Sequence, residues 1–216
     1  MGFGAKSMNK TLLQLTLRAA AALASALCLA SLVACATPQA PVAKAVYDLG
    51  LPAVPPPVAA SAVLPALALA DIATGAALDS TAMVYRLSYA DVQQLRPYTL
   101  ARWSMPPAQL LRLRLRDALS ARGPVLGAAE GAPAWRLLVE LDEFSQWFDA
   151  PTQSAAVVRL RATLLRNEQW AAQSTFSARA SAPSADAAGG VRAMATAVDD
   201  VVQQLGGWSA AQLAKP

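Results

Sequence analysis

The sequence predicts an α+β domain, a mostly antiparallel sheet with two amphipathic helices packed on one face. Two observations predict it. Residues 135–180 hold three consecutive runs in which apolar and polar side chains alternate, separated by short turn signals. Two other segments, after Pro106-Pro107 and after Pro183–Asp186, place their apolar residues at helical spacing instead.

The chain opens with Lys6, Lys10 and Arg18 and no acidic residue, followed by the uncharged run Ala19–Ala34. That run is shorter than the roughly 20 residues a spanning helix needs, so it reads as the apolar region of a signal peptide. It ends in Leu32-Val33-Ala34-Cys35, a match to the bacterial lipobox. Residues 1–34 are therefore expected to be a signal peptide cleaved between Ala34 and Cys35. Cys35 would then carry a thioether-linked diacylglycerol and an N-acyl chain. A thiol is the nucleophile that takes the glyceryl group, and the small residues before it admit the peptidase. The competing reading is an ordinary Ala-x-Ala cleavage site with an incidental cysteine. Each buried methylene contributes about 0.8 kcal/mol, so several acyl chains make a permanent anchor. Ala36, rather than aspartate, follows Cys35, which points to the periplasmic face of the outer membrane.

Cleavage removes three of the 18 basic residues and none of the 14 acidic ones, leaving a formal charge of +1. That is not the footprint of a nucleic-acid binder. Cys28 leaves with the signal peptide, so no disulfide is expected. The chain has no histidine, which excludes Ser-His-Asp triads, Cys-His dyads and histidine-based zinc sites. No metal, no separate cofactor and no catalytic residue is expected.

Residues 35–62 read as the lipidated cysteine and an Ala/Pro-rich tether, with Pro38, Pro41, Pro52, Pro55, Pro56 and Pro57 favouring extended backbone. Within it, Val46-Tyr47-Asp48-Leu49-Gly50 has the makings of a short edge strand that docks the tether. Residues 63–216 form the single domain. Strands are expected at Leu64–Ala73, at Met83–Tyr89 and, more weakly, at Tyr98–Trp103. Leu110–Arg122 alternates Leu and Arg like a strand. Its residues are nonetheless helix formers without β-branching, and Leu111, Leu115, Ala118 and Leu119 share one helical face, with Gly123-Pro124 as the stop.

Trp135–Leu141 then alternates, and Asp149-Ala150-Pro151 turns the chain. Val157–Leu165 alternates again, Asn167-Glu168 supplies a tight turn, and Trp170–Ala180 returns. The last helix carries Val191, Met194, Val198, Val201, Val202 and Leu205 on one stripe and is expected to end at Gly206-Gly207.

Trp147 and Phe148, near a hairpin tip, are candidates for contact with lipid or a partner, although capping the edge of the core suits them better. Trp103, Trp135, Trp170 and Trp208 are expected in the core. Arg112, Arg114, Arg116 and Arg122 are expected on a solvated helix face. Asp142 and Glu143 are adjacent on a strand, so they point to opposite faces and do not converge for acid and base work.

In order and spacing these features resemble the ABC-type transport auxiliary lipoproteins, the PqiC-like family. The residues that carry the resemblance are the lipobox at Cys35, Tyr47-Asp48-Leu49-Gly50, and the strand Met83–Tyr89. Tyr98 with Trp103, Pro106-Pro107 before a Leu-rich helix, Leu141-Asp142-Glu143-Phe144, and the helix ending near Trp208 complete the order. The resemblance implies a non-catalytic outer-membrane docking component of an MCE-type system for lipids or other hydrophobic molecules. Its partners would be a periplasmic MCE-domain protein and an inner-membrane transporter, with homo-oligomers compatible. Two other classes fit the same residues: a direct lipid carrier, and an assembly lipoprotein for an outer-membrane β-barrel machine.

Overall fold

A computed structural model describes residues 43–52, 64–127, 131 and 133–215. The expected signal peptide, Cys35 and most of the Pro-rich segment lie outside the described residues. Nine strands form one sheet, and two helices, α1 (Pro107–Ser120) and α2 (Ala187–Leu213), accompany it.

The centre is the meander read from residues 135–180. Strands β7 (Trp135–Ala150), β8 (Gln153–Arg166) and β9 (Gln169–Ser181) pair antiparallel in sequence order. The β8–β9 turn is the predicted two-residue one, with Asn167 at φ 51° and Glu168 at φ 63°. Positive φ at both central residues gives the turn the twist of its flanking strands.

A bulge at Asp142 breaks the β7–β8 register, since Leu141 faces Leu160 and Glu143 faces Arg159. The core-facing residues therefore change parity along β7, from Trp135, Leu137, Val139 and Leu141 to Phe144, Gln146 and Phe148.

The free edge of β7 is covered piecewise. Strand β2 (Leu67–Leu69) pairs with Trp135–Leu137, β3 (Ala73–Thr74) with Glu140–Leu141, and β4 (Ala82–Leu87) with Gln146–Phe148, all parallel. The single strand expected over Leu64–Ala73 is thus two short ones, because Ala70, Asp71 and Ile72 leave the ladder between them. Strand β5 (Asp91–Trp103) pairs antiparallel with β4 and is longer than the Tyr98–Trp103 expected. A short β6 (Val125–Leu126) follows α1 and pairs with β2. The expected docking strand is present as β1 (Ala45–Tyr47), parallel to Ala101–Trp103 of β5.

Helix α2 lies on β7, β8 and β9, and α1 packs against α2 and β6. Leu111, Leu115, Val158, Leu160, Leu164, Val198, Val201 and Leu205 are essentially without solvent exposure between these layers. Contrary to the expected stop, α2 runs through Gly206-Gly207 to Leu213. The reason is tertiary. Arg122 donates to the Gly206 carbonyl at 3.0 Å, and Trp208, Ser209 and Leu213 pack inward beyond the glycines. That packing outweighs the roughly 1 kcal/mol per glycine lost relative to alanine.

Candidate functional site

The acidic residues of β7 are each held by an arginine from another strand. Glu143 is buried and meets Arg86 at 3.2 Å. The Arg86 guanidinium lies over the Trp147 ring, 5.9 Å from its centroid, and donates to the Val92 and Gln93 carbonyls. Asp142, in the bulge, stands 4.0 Å from Arg161, while Asp149 is paired with Arg179. These ion pairs cross-brace the meander. Among the described residues, no group of three or more His, Cys, Asp or Glu side chains gathers in one place.

Phe148 is 8% exposed and stands edge-on to Tyr85, with ring centroids 5.7 Å apart. Trp147 is half-buried, its indole N–H donating to the Ser145 hydroxyl at 2.9 Å. Phe148 is buried near the β7–β8 turn, while Trp147, its neighbour on the strand, lies on the opposite face against Arg86. Ala34 and Cys35 lie outside the described residues.

Two expectations about side-chain placement are corrected. Trp170, expected in the core, is 69% exposed, because a register shift, with Leu164 facing Ala172 but Leu165 facing Trp170, puts it on the sheet face opposite Ala172 and Phe176. Arg114, expected on a solvated face, is 5% exposed. It donates to the carbonyls of Leu49 (2.8 Å) and Gly50 (3.1 Å) and lies 3.4 Å from Asp199 of α2. A buried guanidinium needs such partners, and here they tie the segment after β1 to both helices. Arg122 is likewise occupied, at Gly206. Arg112 meets Asp71 at 3.1 Å, and Arg116 is exposed.

A polar node absent from the sequence reading holds the start of α2. The buried Gln146 carboxamide accepts from the Tyr98 hydroxyl at 2.9 Å, and donates to the Ser154 hydroxyl at 2.8 Å and the Asp186 carbonyl at 3.1 Å. Burial, with Tyr85 and Asp186 adding, holds the Tyr98 phenol protonated well above its ordinary range. Gly190 permits the approach, since a Cβ there would lie 1.9 Å from Gln146 Oε1. Asp186 caps the helix by accepting from Gly189 N–H at 2.6 Å, which with the Ser184 hydroxyl lowers its carboxyl below the ordinary value. The residue pair Gly189-Gly190 after a capping aspartate was the available signal.

The open surface lies elsewhere. Strand β9 pairs only with β8, so its outer edge has no strand partner among the described residues. Its 13 residues carry one charge, Arg179, and no proline, whereas long edges are usually blunted by such residues. Beside it runs an open groove of about 540 Å³ lined by Ala178 and Arg179 of β9 and by Asp200, Gln203 and Gln204 of α2. A strand edge flanked by a helix is a geometry that receives extended peptide by strand addition.

The family model of the ABC-type transport auxiliary lipoprotein component matches residues 47–206, from β1 to the last third of α2. The chain belongs to this family. Among solved structures, a Xanthomonas campestris protein of the DUF330 family is 21% identical with a TM-score of 0.66, covering 77% of this chain and 95% of its own. A second, an uncharacterized protein, is 18% identical with a TM-score of 0.62, covering 77% and 99%. These likenesses show a shared fold. No curated protein matches the sequence. As a transport auxiliary lipoprotein, the chain is an accessory component of an ABC-type transport system. Among the described residues, no helix is long and apolar enough to cross a membrane.

Proposed function

We propose that this lipoprotein is a non-catalytic docking component at the periplasmic face of the outer membrane, anchored through acyl chains on Cys35. It serves an MCE-type system that moves lipids or other hydrophobic molecules. The partner is a periplasmic MCE-domain protein, linked in turn to an inner-membrane transporter, and it binds along the β9 edge beside α2. The observation that carries this reading is the long, nearly uncharged β9 edge with a helix-flanked groove, in a chain whose family is an auxiliary of transport. Direct carriage of an acyl chain between helices and sheet is disfavoured, because that interface is filled by the fully buried side chains named above.

The test is a pull-down of the intact lipoprotein from crosslinked cells, with partners identified by mass spectrometry. Recovery of an MCE-domain protein, lost on Ser177→Lys in β9, supports the proposal. Recovery of an outer-membrane β-barrel alone overturns it in favour of an assembly role. The same preparation reports on Cys35, whose peptide should carry the mass of a diacylglyceryl group and an N-acyl chain.

A further inference from the structure

Strand β1 and the end of β5 form an edge of the sheet, a ribbon with two unlike faces. Register places Ala45 beside Ala101, Val46 beside Arg102 and Tyr47 beside Trp103. Side chains alternate along each strand, so the faces can be read directly. On the inner face Ala101 and Trp103 are buried, and Tyr47 packs against the core. On the outer face are Val46 and Arg102, together with Leu100, two residues earlier on β5, and Lys44 stands immediately before β1. All four are exposed, Val46 to 51% and Leu100 to 54%. Close by in the chain, Leu51 is 94% exposed.

Scattered exposed aliphatic residues are ordinary on protein surfaces. These differ in lying on one face, alternating with two cations, at the point where the chain enters the domain. The neighbouring acid is Asp48, whose carboxylate already accepts from Gly50 N–H at 2.8 Å.

Chain length limits where this face can be. Nine residues separate Cys35 from Ala45, and ten fully extended steps reach at most about 35 Å. Because β1 is part of the sheet, these ten steps are the whole connection between Cys35 and the sheet. Aliphatic side chains interleaved with Lys and Arg suit the boundary between anionic headgroups and acyl chains.

We infer that the outer face of the β1–β5 ribbon rests on the anionic phospholipid surface that holds the anchor. This contact would orient the domain, and the β7–β8 and β4–β5 turns stand at the far end of β4 and β5 from it. The inference rests on the proposed lipid anchor at Cys35.

The mature chain of the proposal retains no thiol other than acylated Cys35, so a single introduced cysteine labels cleanly. The intact lipoprotein carrying Val46→Cys with an environment-sensitive fluorophore is reconstituted into phosphatidylcholine vesicles with and without phosphatidylglycerol. Thr152→Cys, exposed in the β7–β8 turn, is the comparison site. With phosphatidylglycerol present, the label at 46 should show blue-shifted emission and slower iodide quenching than the label at 152. Adding Lys44→Glu and Arg102→Glu should abolish the difference. Equal quenching at both sites, on protein whose Cys35 is acylated, overturns the contact alone. If mass spectrometry finds Cys35 unacylated, the anchor reading fails and this inference falls with it, by a different and separately visible result.

Discussion

Replacing Gly190 by alanine should destabilise the domain although alanine is the better helix former. The added Cβ would stand 1.9 Å from Gln146 Oε1 and 2.5 Å from its Cδ, so the carboxamide must move. Gln146 is buried and bridges Tyr98, Ser154 and the Asp186 carbonyl. Each buried polar group left without a partner costs about 1–3 kcal/mol. With the Tyr98 and Ser154 hydroxyls both disturbed, the loss is about 3 kcal/mol, offset by at most about 1 kcal/mol of helix propensity. The net loss of about 2 kcal/mol corresponds to a fall in Tm of roughly 4–8 °C for a domain of this size.

The same substitution at Gly207, in the same helix but with nothing within 4 Å of the new Cβ, should instead gain up to about 1 kcal/mol. Urea unfolding of both variants, and of Gly190→Ala in a Gln146→Ala background, makes a double-mutant cycle. In that background the clashing atoms are gone and Gly190→Ala should be close to neutral. An equal loss in both backgrounds would refute the steric account.

Three further outcomes are expected. Arg114→Ala should lower stability by about 2–3 kcal/mol, since it strips two carbonyls and Asp199 of a buried charged partner; limited proteolysis should then cut first near Leu49–Leu51. Glu168→Gly should raise stability by about 0.5–1 kcal/mol in urea unfolding, because it relieves a left-handed glutamate while giving up only the exposed pair with Arg136. Asp186 has a lowered pKa, its carboxylate accepting from Gly189 N–H. Its capping contribution is therefore complete above the ordinary aspartate value and lost as pH falls through the lower folded value. Asp186→Asn should flatten that acid limb in a pH series of thermal melts while keeping the cap.

Where structure depends on neighbours in the chain, the residues announced it. Alternation in β7, β8 and β9 and the Asn167-Glu168 turn are local properties, as is the Leu111–Leu115–Leu119 face of α1. Docking of Val46–Gly50 was also legible, because an aromatic and branched residues interrupt a proline-rich run. The candidate binding edge was not. Whether an outer strand follows β9 laterally is encoded by no residue in β9, and the face that Trp170 takes follows from the shift in β8–β9 register beside Ala171. Burial of Arg114 is set by a segment far away in sequence, since its guanidinium reaches the Leu49 carbonyl.

Meander and helix faces follow from short-range patterns, since period, charge and turn chemistry act within a few residues. The division of the β7 edge among β2, β3 and β4, the parity change at Asp142, and the continuation of α2 past Gly206-Gly207 follow from pairing and packing between distant segments. Backbone hydrogen bonds are alike for every sequence, so which strand takes which stretch of an edge is settled only when the whole core closes.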